Sequence, residues 1–195
     1  MQKILDNWVV GLRAICILVV VIWCVEAVNS VLGHSLNAYG IYPREVFSLP
    51  GVFLWAFLHG DFQHLLMNTT PLLIMGFFVA TRGAGRFVLV SLVVIIVGGL
   101  GVWCFGRTAY HIGASGLVFG YFGYLVALGV YERSLGTLAI SSFTLIYYGG
   151  LIYGVLPGDS FVSWEGHLFG LCGGIFAARL TADDAAGAGS STKTS

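Results

Sequence analysis

The chain has 195 residues, of which 57% are hydrophobic and 9% charged, and its nine basic and nine acidic side chains give a formal net charge of zero. A soluble domain carries about a quarter charged residues, so this composition fits a protein whose solvent is mainly lipid. The charge balance removes any electrostatic case for nucleic acid, and the four cysteines, Cys16, Cys24, Cys104 and Cys172, lack a C-x-x-C pair and read as small apolar thiols rather than disulfides or metal ligands.

The first apolar run, Ala14 to Val28, follows Lys3 and Arg13. It resembles a signal peptide, with Val25-Glu26-Ala27 as a weak cleavage site, but the same features suit a retained first span at about 9–29. A long segment, about 30–61, comes next. Its stretch from Val52 to Leu58 is too short to span and reads as half embedded in the outer interface. The alternative is an outward extension of the following helix. Five more spans are expected, at about 62–80, 86–105, 114–131, 137–156 and 166–180. The tail 181–195, rich in Ala, Gly, Ser and Thr with Asp183 and Asp184, reads as disordered and cytoplasmic. The expected fold class is thus an all-α membrane protein, a polytopic bundle of six transmembrane helices over 1–180. With both termini cytoplasmic, Lys3, Arg13, Arg82, Arg86, Arg133, Arg179 and Lys193 lie inside and only Arg44 and Arg107 outside, as the positive-inside rule asks.

Polar groups inside a bilayer are costly and call for a reason. Three such marks open alternate spans, so they share one depth near the outer face. His64 and Asn68 are four apart on one face of the second span. Ser115 stands in Gly113-Ala114-Ser115-Gly116 at the start of the fourth, and His167 starts the sixth. A serine needs a base to become a nucleophile. On the last span Gly170 and Gly174 share the face of His167, and Gly116, Gly120 and Gly123 have similar spacing on the fourth, so the two helices can approach until His167 reaches Ser115. Each mark also has a plainer reading: small-residue packing for Gly-Ala-Ser-Gly, and an interhelical hydrogen bond for the histidine.

No carboxylate is placed to orient His167, since Glu165 points roughly to the opposite face. The pattern therefore predicts a Ser–His dyad rather than a triad. Phe119, one turn after Ser115, can pack on the imidazole or simply fill core. His64, Asn68 and the Ser115 N–H can stabilise an oxyanion. A metal on His59, His64 and His111 is the rival reading, and their spacing argues against it. A transporter or channel would need ionisable groups through the midplane, and the polar groups stop near one face.

These segments together resemble the rhomboid family of intramembrane serine proteases, in its minimal six-helix bacterial form. His59-Gly60-Asp61-Phe62-Gln63-His64-Leu65-Leu66-Met67-Asn68 is similar to the second-helix motif, Gly113-Ala114-Ser115-Gly116 to the G-x-S-G nucleophile motif, and Gly166-His167-Leu168-Phe169-Gly170 with Gly174 to the sixth-helix motif. The resemblance implies Ser115 as nucleophile, His167 as base, and His64, Asn68 and the Ser115 N–H as oxyanion hole. It implies cleavage of transmembrane protein substrates within or near their membrane segments, no cofactor, and a bacterial inner-membrane protein with the site toward the outer face. A catalytically inactive relative that binds transmembrane helices is the alternative. Two departures stand out. Arg44 follows Pro43 where many members carry Trp-Arg, and Thr81-Arg82-Gly83 replaces an acidic residue after the second helix. Both put the anchoring of the first loop in doubt.

Overall fold

The computed structural model describes residues 2–158 and 162–190, with side chains over 8–158 and 162–182. Among the described residues seven α-helices follow one another: α1 (Gln2–Val31), the short α2 (Gly51–Leu54), α3 (Phe62–Ala80), α4 (Ala84–Phe105), α5 (Ser115–Glu132), α6 (Leu135–Tyr148) and α7 (Trp164–Ser190). Five segments among the described residues are long and apolar enough to cross a membrane: Trp8–Val31, α3, α4, α5, and α6 with its continuation to Val155. The last helix, α7, is less apolar because Glu165, His167 and its glycines open it, and it is enclosed mainly by α4 and α5. The whole is an all-α polytopic membrane fold.

Two boundaries differ from the sequence reading. The span expected to run unbroken over 137–156 leaves α-geometry at Tyr148 and continues as a 3₁₀-helix over Gly149–Val155. The Gly149-Gly150 pair, with its low helix propensity, marks the change. The last helix passes the expected end at Leu180 and runs to Ser190. The tail expected to be disordered, 181–195, thus overlaps α7 up to Ser190, and its last five residues lie outside the described ones.

Glycine decides how α7 fits. A Cβ on Gly170 would stand 2.3 Å from the Gly116 carbonyl oxygen, and one on Gly174 would stand 1.8 Å from that of Gly120. The two backbones therefore touch along two turns, a distance that no other residue allows. On the α4 side, a Cβ on Gly173 would meet the Val94 Cα at 3.1 Å. This fixes the depth at which the first turn of α7 stands beside the first turn of α5.

The segment 32–61 packs onto the bundle. In α2 and the 3₁₀ turn that follows it, Val52, Trp55 and Ala56 are buried while Phe53 and Leu54 are exposed. The expected embedded stretch is thus a separate element, docked by one face and not an extension of α3. Its anchor is Trp55, whose Nε1–H donates to the Ile95 carbonyl of α4 at 3.2 Å. The indole lies where α4, α5 and α7 meet. A Cβ on Gly98, Gly116 or Gly166 would stand within 3.1 Å of it.

Candidate active site

Two hydrogen bonds pin the backbone just before α5. The Gly113 N–H donates to the Trp55 carbonyl at 2.9 Å, and the Ala114 N–H donates to His59 Nε2 at 3.2 Å. His59 is fully buried. Desolvation, helped by the neighbouring His64, pushes its pKa from 6.5 to about 3, so the ring is neutral and its Nε2 can accept. Gly113 has φ 123°, a conformation that disfavours any side chain. It also leaves room: a Cβ there would stand 3.0 Å from His64 Nε2 and 3.5 Å from Ser115 Oγ. His64 and Ser115 therefore face each other across the glycine. Ser115 opens α5, where the first N–H groups have no partner inside the helix.

His64 and Asn68 stand on one face of α3. The helix is capped by Asp61, whose side chain accepts from the His64 N–H at 2.7 Å. Asn68 is 8% exposed, and among the described residues its Nδ2 has no hydrogen-bond partner. A buried amide donor left free is unusual and marks a place where an acceptor can arrive.

His167 is held by two contacts. Its ring lies on Phe119, with centroids 4.0 Å apart and planes 7° from parallel. Its Nδ1 is 2.9 Å from the Gly154 carbonyl oxygen in the 3₁₀ segment. A carbonyl can only accept, so Nδ1 carries the proton and Nε2 is left as the basic nitrogen. The Gly154 carbonyl thus orients the imidazole in the manner of a carboxylate. Glu165 is turned away, and its Oε1 accepts from the Arg107 backbone N–H at 3.1 Å.

These side chains open on one cavity of about 920 Å³, lined by His64, Asn68, Ser115, Phe119, Gly154 and His167 among others. The site elements come from α3, α5, α7 and the 3₁₀ turn. Ser115 and His167 share this space without a hydrogen bond between them among the described residues. Gly116, Gly170 and Gly174 stand behind the site at the α5–α7 contact. Sequence reasoning did not give His59, Trp55 or Gly154 these places. The His59–His64 spacing and the lone Trp before it were visible signals. A backbone acceptor such as Gly154 leaves no trace in residue type.

A family model for the Rhomboid domain matches residues 45–183. The chain belongs to the rhomboid family. An uncharacterized protein of Mycobacterium tuberculosis is 38% identical over 183 residues, which cover 89% of this chain and 76% of that protein. The putative rhomboid protease YdcA of Bacillus subtilis is 32% identical over 127 residues, 63% of this chain and 62% of its own. The rhomboid protease GluP of the same species is 35% identical over 135 residues, 67% of this chain and 26% of the longer relative. In this rhomboid the first loop is tied by other residues than the Trp-Arg pair. Arg44 Nη1 donates to the Gly106 carbonyl at 2.7 Å, Trp103 Nε1 donates to the Glu45 carbonyl at 3.1 Å, and Trp55 docks on α4. At the far end Arg82, in the turn after α3, pairs with Glu132 of α5 at 2.5 Å. Among the described residues no three His, Cys, Asp or Glu side chains gather as a metal site would require.

Proposed function

We propose that this rhomboid is an intramembrane serine endopeptidase that cuts membrane proteins within or near their transmembrane segments with a Ser115–His167 dyad. The observation that carries this reading is the fixed tautomer of His167, stacked on Phe119 and bound through Nδ1 to Gly154, in the cavity that also holds Ser115. In the first step Ser115 Oγ attacks the scissile carbonyl carbon and His167 Nε2 takes its proton. The carbonyl oxygen gains the negative charge and is met by the free Asn68 amide, the His64 ring and the Ser115 N–H. His167 then gives its proton to the leaving amine as the C–N bond breaks. Water, deprotonated by the same nitrogen, hydrolyses the acyl-enzyme and restores the serine. A regular helix hides its carbonyls, so the substrate unwinds locally to present the bond. The positive-inside rule puts this chemistry toward the outer face, with both termini in the cytoplasm.

Labelling by a serine-directed fluorophosphonate tests the proposal. Wild type is expected to label, while Ser115→Ala stays blank and His167→Ala labels far more slowly. A blank wild type, or a labelled Ser115→Ala protein, would overturn it.

A further inference from the structure

The turn that carries His167 is itself held from outside by a second serine–histidine pair. His111 lies in the segment between α4 and α5, four residues before Ser115, and is 1% exposed. Its Nδ1 is 2.6 Å from Ser163 Oγ, and its Nε2 is 3.0 Å from the Arg107 carbonyl oxygen. The carbonyl fixes the tautomer as before. Nε2 carries the proton and donates to it, so Nδ1 accepts from the Ser163 hydroxyl. With its proton committed to His111, Ser163 Oγ keeps a lone pair for the Gly166 N–H at 3.2 Å, and the Ser163 carbonyl accepts the His167 N–H at 3.1 Å. Ser163 therefore caps α7 at the residue from which the His167 turn is hung.

The other end of this chain of contacts is the first loop. His111 and Ile41 exchange both backbone hydrogen bonds, at 3.1 and 2.8 Å, in an isolated antiparallel bridge. His111 thus joins three parts of the chain: the 32–61 segment, the strand of chain leading to Ser115, and the N-terminus of α7. Arg107 adds a parallel tie through its backbone N–H to Glu165 and its guanidinium to the Val162 carbonyl at 2.5 Å.

We propose that His111 is a positioning residue. Through Ser163 it sets the angle at which α7 presents His167 to Ser115. The inference rests on the dyad reading above. Geometry of this kind changes rate more than binding, because a small displacement of the base lengthens proton transfer without touching the substrate subsites.

The test uses the full chain in detergent, a fluorogenic transmembrane peptide as substrate, the fluorophosphonate probe, and ¹⁵N spectra of ring-labelled histidine. His111→Ala and Ser163→Ala are each expected to lower kcat and the labelling rate about tenfold or more while KM stays within about twofold. The double variant is expected to be no slower than the worse single one, since both break one contact. His111→Asn, whose amide oxygen can replace Nδ1 as acceptor, is expected to restore much of the rate. The His167 Nδ1 resonance should shift in His111→Ala and return in His111→Asn. Additive losses, a loss confined to KM, no recovery in His111→Asn, or an unmoved His167 resonance would overturn the proposal. A wild type blank to the probe would sink the protease reading alone, and the imidazole spectrum would still decide the role of His111.

Discussion

Two buried histidines of this protein differ in what their ring nitrogens meet. In the proposed dyad His167 needs a free basic nitrogen, and the Gly154 carbonyl holds the proton on the other side of the ring. His59 must not be charged at all, because its Nε2 accepts the Ala114 N–H that sets the start of α5. Its burial holds the pKa near 3 against 6.5 for the ordinary group. Between these values the unfolded chain holds a proton the folded chain refuses. Stability therefore rises with pH through this window, is fully present above 6.5, and is lost as pH falls toward 3. The thermal midpoint in detergent is expected to drop on acidification below pH 6.5, and more shallowly in His59→Gln. Equal slopes for the two proteins would refute this account. At Asn68 the unmet Nδ2 donor predicts a catalytic loss. Asn68→Ala should cut kcat by about tenfold to a hundredfold with the fold intact, and by less than Ser115→Ala. An unchanged kcat would take Asn68 out of the oxyanion hole.

At the scale of elements, the decisive contact is α5 against α7. Among the described residues the one side-chain hydrogen bond between the two helices is a long one, Thr181 Oγ1 to Tyr124 OH at 3.4 Å. They meet because Gly170 and Gly174 let the backbone of α7 rest on the Gly116 and Gly120 carbonyls. Adding a methyl group at Gly174 must separate the helices, and overpacking of this kind costs about 1–3 kcal/mol or more. Gly174→Ala is therefore expected to lower the thermal midpoint and to abolish activity, since His167 rides on the same helix. Gly85→Ala is the matched control, because nothing lies within 4 Å of a Cβ at Gly85. Similar midpoints for the two variants would show that the α5–α7 contact is not tight. The break from α6 into the 3₁₀ segment belongs to this scale too. Gly154 stands at the end of the 3₁₀ segment, and Pro157, three residues on, has no N–H to give it, so its oxygen is left for His167.

Across the whole molecule the site sits at one end of the bundle and most basic residues at the other. Arg44 and Arg107 lie at the site end, while Arg82, Arg86 and Arg133 flank the opposite ends of α3, α4 and α5. The start of α1 also lies at that opposite end, where a Cβ on Gly11 would meet the Ala80 carbonyl carbon at 2.8 Å. This polarity predicts topology. In a background without the four native cysteines, Ser134→Cys is expected to react with an impermeant thiol reagent only in inside-out vesicles, and Tyr110→Cys only in right-side-out cells. The reverse pattern would place the site on the cytoplasmic face. The Arg82–Glu132 pair ties the α3–α4 turn to the end of α5 and keeps both charges at that surface.

Much of this protein was legible before any fold was known, because a bilayer punishes polar side chains. His64, Asn68, Ser115 and His167 stood out against an apolar background, and the count of spans between them put all four at one depth. The glycine spacing on the fourth and sixth spans likewise pointed to close backbones. Composition, helix count and the candidate chemical groups are properties of residue type and period, and these survive in one dimension. The tertiary structure alone decided how the groups are held. The Gly154 carbonyl, the Trp55 wedge between three helices, neutral His59 and the His111–Ser163 cap all depend on contacts between distant segments. Three of these contacts, at the Gly154 and Ile95 carbonyls and the Ala114 N–H, use backbone atoms, which every residue shares and no pattern announces. The charge of His59 also depends on burial, which takes effect only once its neighbours have arrived.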